Sequence, residues 1–339
     1  MIKKLLCALL TVSLLLLPSC KKIEETPNDT SPIDSTTIES TAPETKAPET
    51  TVVETAPETT QPETTIPDTT VPETTVPETT VPVTTPQTEP VVVPPANPNK
   101  YIGTKYTIGQ LSAMDATKKG YGQGLNVDEN NRPTGAIYAQ NTYGAYNTAF
   151  IAPLSNKICL TFDLGYENGY TTKILDVLKE KNVKAIFFAT MSYCKSNPAI
   201  VQRIIDEGHV LGNHSVRHYS MPTLSFETME YEIMELHNYI LNNYGYTMTL
   251  FRPPMGEFSV QSLAVTESLG YKTVHWSFAY LDYDTANQPE YNAALERVTG
   301  AVHGGAIYLL HAVSKTNTEI LPAVIDDFIS KGYTISTEL

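Results

Sequence analysis

The sequence predicts an α/β fold with a parallel sheet, formed by the second half of the chain. From residue 157 onward, short apolar segments rich in β-branched and aromatic residues alternate with longer segments of helical periodicity. Seven strand-like segments alternate with helices in this way, and the alternation is typical of parallel strands joined by right-handed crossovers. Periodicity alone is compatible with either a barrel or a doubly wound sheet.

The predicted elements continue to the end of the chain. Strands are predicted at 158–163, 184–189, 209–213, 249–251, 272–277, 305–311 and 333–336. Helices are predicted at 170–181, 198–207, 225–243, 259–269, 290–303 and 317–331. Residues 100–156 contain Tyr, Gly and Asn with short apolar runs of no clear period, and we expect them to form an N-terminal extension packed on the main domain.

The chain begins with the pattern of an exported protein. Residues 1–19 carry two lysines before an apolar run at 5–17, which is typical of a signal peptide and too short to span a bilayer. The run ends in Leu-Pro-Ser-Cys, which resembles a bacterial lipobox, so Cys20 is the expected lipidation site. Plain secretory cleavage near the same site is the alternative.

Residues 20–99 are expected to form a lipid-anchored, disordered linker. They consist mainly of Thr, Pro, Glu and Val, and from Pro57 to Pro86 they repeat five-residue units such as Pro-Glu-Thr-Thr-Ile. Frequent proline and like charges favour an extended chain. The sequence therefore predicts a monomeric extracytoplasmic protein tethered to the cell membrane, and its formal net charge of −14 gives no indication of nucleic-acid binding.

Five of the six strands predicted between residues 158 and 311 end in, or are followed by, a polar residue at the sheet edge where parallel α/β folds carry their chemistry. These residues are Asp163, His214, Arg252, Asp282 and His311. Each alone has a plain structural explanation, such as a helix cap, a surface arginine in a turn, or a buried and satisfied histidine. Five such residues at one edge of the sheet indicate one shared site.

His214 and His218 lie four residues apart, directly after the third predicted strand. Two neutral imidazoles at this spacing can bind a transition-metal ion if the segment turns helically, although the pattern alone is a weak signal. The other histidines of the folded part lie within strand or helix patterns and are expected to be structural: His209, His237, His275 and His303. Cys159 and Cys194 should lie roughly 15 Å or more apart along neighbouring strands, beyond the reach of a disulfide.

Taken in order, these segments resemble the five motifs of polysaccharide deacetylases, the NodB-type carbohydrate esterases of family four. The segments are Thr161–Gly165, His214–His218, Arg252–Pro254, Trp276–Asp282 and Leu309–His311. The resemblance covers 157–339, and the stretches 166–169 and 310–314 are most similar to delta-lactam-biosynthetic de-N-acetylases, which act on N-acetylmuramic acid in peptidoglycan. It implies a distorted (β/α)7 barrel and hydrolytic removal of an acetyl group from a cell-wall glycan.

The resemblance also implies two proton-transfer roles. Asp163 would be the general base that takes a proton from the attacking water, and Arg252 would keep it ionised and oriented. His311 would be the general acid that protonates the leaving amine, with Asp282 orienting it. A base and an acid whose neighbours separate their pKa values are what this chemistry requires.

By the same resemblance, His214 and His218 would bind a divalent metal, expected to be zinc. The backbone N–H of Met255 would help to bind the oxyanion, and Trp276 and Asn168 are expected at the substrate.

Two positions depart from the family pattern. Leu164 stands where an acid usually supplies a third metal ligand. We therefore expect an aspartate at 164 to tighten zinc binding by at least ~10-fold, provided that its side chain points where the family's ligand does. Tyr283 stands where a tryptophan is common.

Two alternatives to a peptidoglycan de-N-acetylase remain open at this stage. One is a non-catalytic module that only binds cell-wall glycan, although a binding module needs neither a base nor an acid. The other is an esterase that removes an O-acetyl group from the same polymer with the same machinery.

Overall fold

The structure is a computed structural model that describes residues 105–339. Eight strands are present in this range: β1 (Thr148–Ala149), β2 (Lys157–Leu164), β3 (Ile186–Ala189), β4 (Val210–Asn213), β5 (Leu250–Phe251), β6 (Lys272–Val274), β7 (Ala306–His311) and β8 (Thr334–Ile335). The helices are α1 (Ile108–Ser112), α2 (Thr134–Tyr143), α3 (Thr171–Glu180), α4 (Met191–Ser196), α5 (Pro198–Asp206), α6 (Phe226–Tyr244), α7 (Val260–Ser268), α8 (Tyr291–Gly300) and α9 (Lys315–Ser330). The predicted signal peptide, linker and Cys20 lie outside the described residues.

The strands form one parallel sheet that curls into a distorted barrel. Their spatial order is β1-β6-β5-β4-β3-β2-β7, and β8 pairs with the start of β2. An isolated parallel bridge between Phe278 and Tyr308 links the chain after β6 to β7 and so brings the two sides of the sheet together. The helices surround this sheet, and the predicted distorted barrel of the NodB type is confirmed.

The seven strands predicted from residue 157 onward are all present in the structure. The sequence analysis missed one strand, β1, and three helices, α1, α2 and α4. A strand of two residues, such as β1, is too short to show an alternation of apolar and polar residues. The sheet therefore extends to residues before the predicted boundary at 157, because β1 pairs with β6 through Thr148 and Thr273.

Strict alternation along β2 divides its side chains between two environments. Ile158, Leu160, Phe162 and Leu164 pack in the main apolar cluster with buried residues of the surrounding helices. Cys159 belongs to a smaller cluster on the opposite face, with Phe188 and other strand residues. Because side chains alternate with a period of two, Thr161 and Asp163 share the face of Cys159, inside the barrel.

Residues 105–156 contact the barrel close to the ends of β5 and β6. Lys119 forms an antiparallel bridge with Phe258, and the Tyr121 hydroxyl donates a hydrogen bond of 2.6 Å to the carbonyl of Trp276. Phe150 is fully buried and stacks on the ring of His275 at a centroid distance of 4.3 Å. This segment therefore forms part of the wall beside the carboxyl end of β6.

Two predictions about individual residues can be checked here. Cys159 and Cys194 are both buried and free, so the prediction that they form no disulfide is confirmed. Within residues 105–339, no helix combines the length and the apolar character needed to cross a membrane.

Candidate active site

A cavity of about 670 Å³ opens at the carboxyl ends of the strands. Asp163, His214, His218 and His311 line one part of it, so loops from three strands meet there. The remaining wall is mainly apolar and includes side chains from the N-terminal segment and from the loop after β6; its members are Tyr121, Gln123, Met255, Trp276, Leu281, Tyr283 and Leu309.

Asp163 ends β2 and pairs with Arg252. The Arg252 Nη1 donates a hydrogen bond of 2.7 Å to Asp163 Oδ1, while Asp163 Oδ2 lies 3.5 Å from His214 Nε2. Burial works to raise the pKa of Asp163, but the positive charge of Arg252, with smaller contributions from His214 and His311, holds that pKa below its usual value. The carboxylate is therefore ionised and oriented.

Arg252 is fully buried, and each part of its guanidinium has a partner. Nε donates to the carbonyl of Val274 and Nη2 to the carbonyl of His275, both at 3.1 Å. The guanidinium also lies over the Phe188 ring, 4.2 Å from its centroid. The two prolines that follow Arg252 fix the backbone there, so the arginine links β2, β5 and the end of β6.

His214 and His218 bring their ring nitrogens together in the cavity. The two Nε2 atoms lie 3.2 Å apart. His214 Nδ1 lies 2.8 Å from the carbonyl of Arg252, which must be an acceptor, so the proton of a neutral His214 ring is on Nδ1 and Nε2 carries a lone pair. Burial lowers the pKa of His214 to about 4 and also lowers that of His218, so both rings are neutral near pH 7.

The loop that carries both histidines has an unusual backbone. Ser215 and His218 adopt positive φ angles of 70° and 59°, which are uncommon for residues with side chains. The Asn213 side chain accepts a hydrogen bond from the Ser215 N–H at 2.9 Å. The buried Glu232 accepts hydrogen bonds from both the backbone N–H and the guanidinium of Arg217, at 2.7 and 2.5 Å. These contacts fix the histidine loop against α6.

His311 ends β7 and is held by Asp282, which is fully buried. Asp282 Oδ1 lies 2.7 Å from His311 Nδ1, and Oδ2 accepts a hydrogen bond of 2.8 Å from the His311 backbone N–H. Burial works to lower the pKa of His311, but the hydrogen bond and charge of Asp282 raise it above its usual value. His311 therefore tends to carry a proton, in contrast to the ionised Asp163.

Trp276 and the turn after β5 form the apolar wall. Met255 and Gly256 both have left-handed backbones, with φ of 59° and 66°. A Cβ atom on Gly256 would lie 2.5 Å from the Trp276 ring, so only glycine allows this close packing. Trp276 Nε1 donates a hydrogen bond of 3.1 Å to the Gln123 side chain. This arrangement places Met255, the expected oxyanion donor, at the cavity wall.

Comparison with known proteins places this geometry in a family. The family model described as "Polysaccharide deacetylase" matches residues 152–274. The peptidoglycan-N-acetylmuramic acid deacetylase PdaA of Bacillus subtilis (strain 168) is 40% identical over 57% of this chain and 74% of its own length. The chain belongs to the polysaccharide deacetylase family.

Further relatives of this polysaccharide deacetylase support the assignment. The solved structure of Bacillus subtilis PdaA, a family 4 carbohydrate esterase, matches with a TM-score of 0.62 at 35% identity, over 65% of this chain and 95% of that chain. The peptidoglycan-N-acetylglucosamine deacetylase PgdA of Listeria monocytogenes is 33% identical over 55% of this chain and 39% of its own length. The protein is a hydrolase that acts on amide bonds.

The deacetylase offers a donor set that fits a metal ion, although a sparse one. Two ligands arranged tetrahedrally around one zinc ion at about 2.1 Å would have their nitrogens about 3.4 Å apart. The 3.2 Å between the two Nε2 atoms is close to this value, and both rings are in the neutral state that ligation requires. In residues 105–339, however, no group of three or more His, Cys, Asp or Glu side chains is arranged to hold a metal.

Leu164 corrects one expectation. The sequence analysis expected an aspartate at this position to add a metal ligand, but Leu164 is fully buried in the main apolar cluster. Since Asp163 faces the cavity, the alternation of β2 turns its neighbour the other way. An aspartate at 164 would therefore bury a charge beneath the helices. The condition for tighter zinc binding, a side chain that points to the metal, is not met in this structure.

Three predicted site residues of the described part do not line the cavity. Arg252 and Asp282 lie behind it and contact the lining residues Asp163 and His311, whereas Asn168 makes no such contact. Its side-chain amide donates a hydrogen bond of 3.0 Å to the carbonyl of Val313. Its neighbour Glu167 accepts hydrogen bonds from the backbone N–H groups of Gly169, Tyr170 and Thr171, and so caps α3. This loop therefore connects structural elements and contributes no cavity-lining side chain.

The sequence analysis did not place four residues at the site: Tyr121, Gln123, Tyr283 and Asn317. Tyr121 and Gln123 come from a segment with no periodic pattern, so no signal placed them at the cavity. Asn317 donates to Asp282 from the first turn of α9, where an asparagine after Ser314 is most simply read as helix capping. Tyr283, noted only as a departure from the family, lies edge-on to His311 at 5.6 Å.

Replacing Asp282 with asparagine is expected to lower the pKa of His311. The hydrogen bond and charge of Asp282 raise this pKa in the native protein, and burial alone would lower it. Without the carboxylate charge, the imidazole should therefore lose its proton at a lower pH. NMR titration of the histidine ring protons in both proteins measures the change directly.

The raised pKa of His311 determines how the effect of Asp282→Asn on stability changes with pH. The His311–Asp282 pair stabilises the fold fully below the unfolded pKa of about 6.5, and this contribution is lost as the pH rises through the higher folded pKa. The difference in free energy of unfolding between the native protein and Asp282→Asn should therefore shrink with rising pH. Asp284→Asn is the control, because Asp284 bonds only within its own exposed loop. An equal His311 midpoint in native protein and Asp282→Asn would contradict the assignment.

Proposed function

We propose that this deacetylase hydrolyses the N-acetyl group of a peptidoglycan sugar, with N-acetylmuramic acid as the substrate, and that a divalent metal assists the reaction. The observation that supports this most strongly is the pairing of two proton-transfer groups at one cavity. Asp163 is kept ionised by Arg252, whereas Asp282 favours the protonated state of His311. An amide hydrolase needs a base for the attacking water and an acid for the departing amine.

Asp163 acts as the general base. Arg252 occupies its Oδ1, so Oδ2 remains directed toward His214 and the cavity. The ion pair also restricts rotation of the carboxylate, so the proton acceptor has a fixed position when water and substrate enter. Protonation of Oδ2 leaves Oδ1 paired with the guanidinium.

His311 acts as the general acid on the other side of the same cavity. Asp282 binds its Nδ1, which leaves Nε2 as the nitrogen that can deliver a proton to the leaving amine. The backbone N–H of Met255 would donate to the oxyanion that develops on the acetyl carbonyl. The left-handed turn at Met255 and Gly256 fixes that donor beside Trp276.

His214 and His218 would hold the metal, and zinc is the ion their imidazoles suit best. Deacetylases of this family are generally metal-dependent. A bound divalent ion would act as a Lewis acid toward the acetyl carbonyl. The buried hydrogen bond from His214 to the Arg252 carbonyl fixes the tautomer and direction of one ligand.

The similarity to PdaA supports N-acetylmuramic acid as the substrate over N-acetylglucosamine. The chain is 40% identical to PdaA over 74% of that protein, compared with 33% identity to PgdA over 39% of its length. Incubation of the full chain with purified glycan strands, followed by mass spectrometry, tests the assignment. Loss of the acetyl mass shows deacetylation, and fragmentation identifies the sugar and whether an N-acetyl or O-acetyl group was removed.

Asp163→Asn and His311→Ala should each lower the deacetylation rate by at least ~100-fold, because each removes one proton-transfer group. Release of acetate from a defined glycan measures the rate. Asp176→Asn is the matched control, since Asp176 is exposed on α3 and pairs with Arg203 away from the cavity. If either variant turned over at the native rate, that residue would have no part in the mechanism.

Zinc binding should depend on both histidines. His214→Ala and His218→Ala should each weaken binding by at least ~10-fold, measured by calorimetric titration at fixed pH. His237→Ala is the control, because His237 bonds the Tyr271 hydroxyl and does not line the cavity. Native affinity in the two site variants would mean that zinc binds elsewhere on the chain.

We further propose that the mature protein is anchored to the membrane through a lipid on Cys20. The lipobox-like end of the signal segment supports this. Cys20→Ala should move the protein from the membrane fraction to the soluble fraction, because a diacylated cysteine anchors firmly. Equal distribution of the two proteins after cell fractionation would exclude the anchor.

A further inference from the structure

The Asp282 carboxylate is completely buried and receives three hydrogen bonds. Two come from His311, through Nδ1 at 2.7 Å and through the backbone N–H at 2.8 Å. The third comes from the side-chain amide of Asn317, whose Nδ2 lies 2.5 Å from Asp282 Oδ2. A buried carboxylate depends on such donors for its stabilisation, so Asn317 shares the negative charge of Asp282 with His311.

Asn317 is itself fixed at a defined position. It lies in the first turn of α9 and is only 2% exposed. Its backbone N–H donates to the capping hydroxyl of Ser314 at 3.0 Å. The Tyr280 hydroxyl donates to Asn317 Oδ1, so the carbonyl side of the amide faces Tyr280 and the NH2 side faces Asp282. Reversing the amide would set its carbonyl against the carboxylate, so these partners select one orientation.

We propose that Asn317 is a positioning residue for the general acid, acting through Asp282. By binding Oδ2, it takes part of the carboxylate charge and limits how strongly Asp282 holds the proton of His311. This inference rests on the proposed role of His311 as the acid. An acid that must release its proton during turnover works best when its pKa stays near the working pH.

The charged and titratable groups that face His311 are already accounted for. The charged ones are Asp282 from the loop after β6, Asp163 from β2 and Arg252 from the end of β5, and the neutral, titratable His218 comes from the loop after β4. Asn317 is neutral, so replacing it changes no charge among these groups. A change in the titration of His311 would therefore report the hydrogen bond to Asp282.

Asn317→Leu has a similar size but no donor, and it leaves the Asp282 carboxylate with His311 as its remaining partner. We expect the His311 titration midpoint, measured by NMR without substrate, to rise by at least ~0.5 pH unit. The alkaline limb of kcat should move upward with it, while KM stays within about twofold. The NMR readout needs no glycan, so it stands even if a different sugar proves to be the substrate.

The direction in which the His311 titration midpoint moves distinguishes this proposal from a purely structural role of Asn317. If Asn317 only kept Asp282 near His311, its loss would act like Asp282→Asn and lower the midpoint. Tyr280→Phe is the milder second variant, for use if Asn317→Leu does not fold. It removes the hydroxyl that orients the amide and should raise the midpoint by a smaller amount.

Gln288→Leu is the matched control. Gln288 also ties the loop after β6 to the start of α9, but it bonds the Asp282 backbone carbonyl and the Ser314 hydroxyl, not the carboxylate. Its replacement should leave the His311 midpoint at the native value. An unchanged or lowered midpoint in Asn317→Leu, or an equal rise in Gln288→Leu, would overturn the proposal.

Discussion

The buried ion pair between Arg252 and Asp163 is the interaction on which the site depends. Arg252 is 0% exposed, and burying a guanidinium is costly unless its donors are paired. Its three hydrogen-bond partners come from two places in the chain: Asp163 at the end of β2, and the carbonyls of Val274 and His275 at the end of β6. Removing one partner would leave a buried polar group without compensation. The contacts that hold these strand ends together are therefore the same ones that orient the Asp163 carboxylate.

Two buried ion pairs, Arg252–Asp163 and Asp282–His311, allow one small cavity to hold a carboxylate that favours its ionised form and an imidazole that favours its protonated form. Burial alone would push both groups toward neutrality, raising the pKa of Asp163 and lowering that of His311. Each therefore has its own buried counter-ion, Arg252 for Asp163 and Asp282 for His311. The opposite charges of Asp163 and His311 also favour each other across the cavity.

The strand ends could be predicted well from the sequence because they follow from two simple patterns, the short apolar runs of strands and the helical period of 3.6 residues. The alternation of strands and helices located Asp163, His214, Arg252, Asp282 and His311, and the structure brings all five together. The expectation at Leu164 was carried over from the family without applying the period of two, which places neighbouring residues on opposite faces. Tyr121, Gln123 and Asn317 reach the site through contacts between residues 155, 153 and 35 positions apart, which no local pattern encodes.

The histidine loop shows why ligand spacing alone is a weak predictor of a metal site. Residues with positive φ persist only where the surrounding structure over-determines them. Here the loop is fixed by Asn213 before it and by Glu232 on α6, which binds Arg217 between the two histidines. Two imidazoles already held 3.2 Å apart would lose little conformational freedom on binding an ion. A rigid loop would therefore compensate for part of the metal affinity that a site with two protein ligands lacks. The residues that make the loop rigid, Asn213 and Glu232, lie outside the His-x-x-x-His pattern.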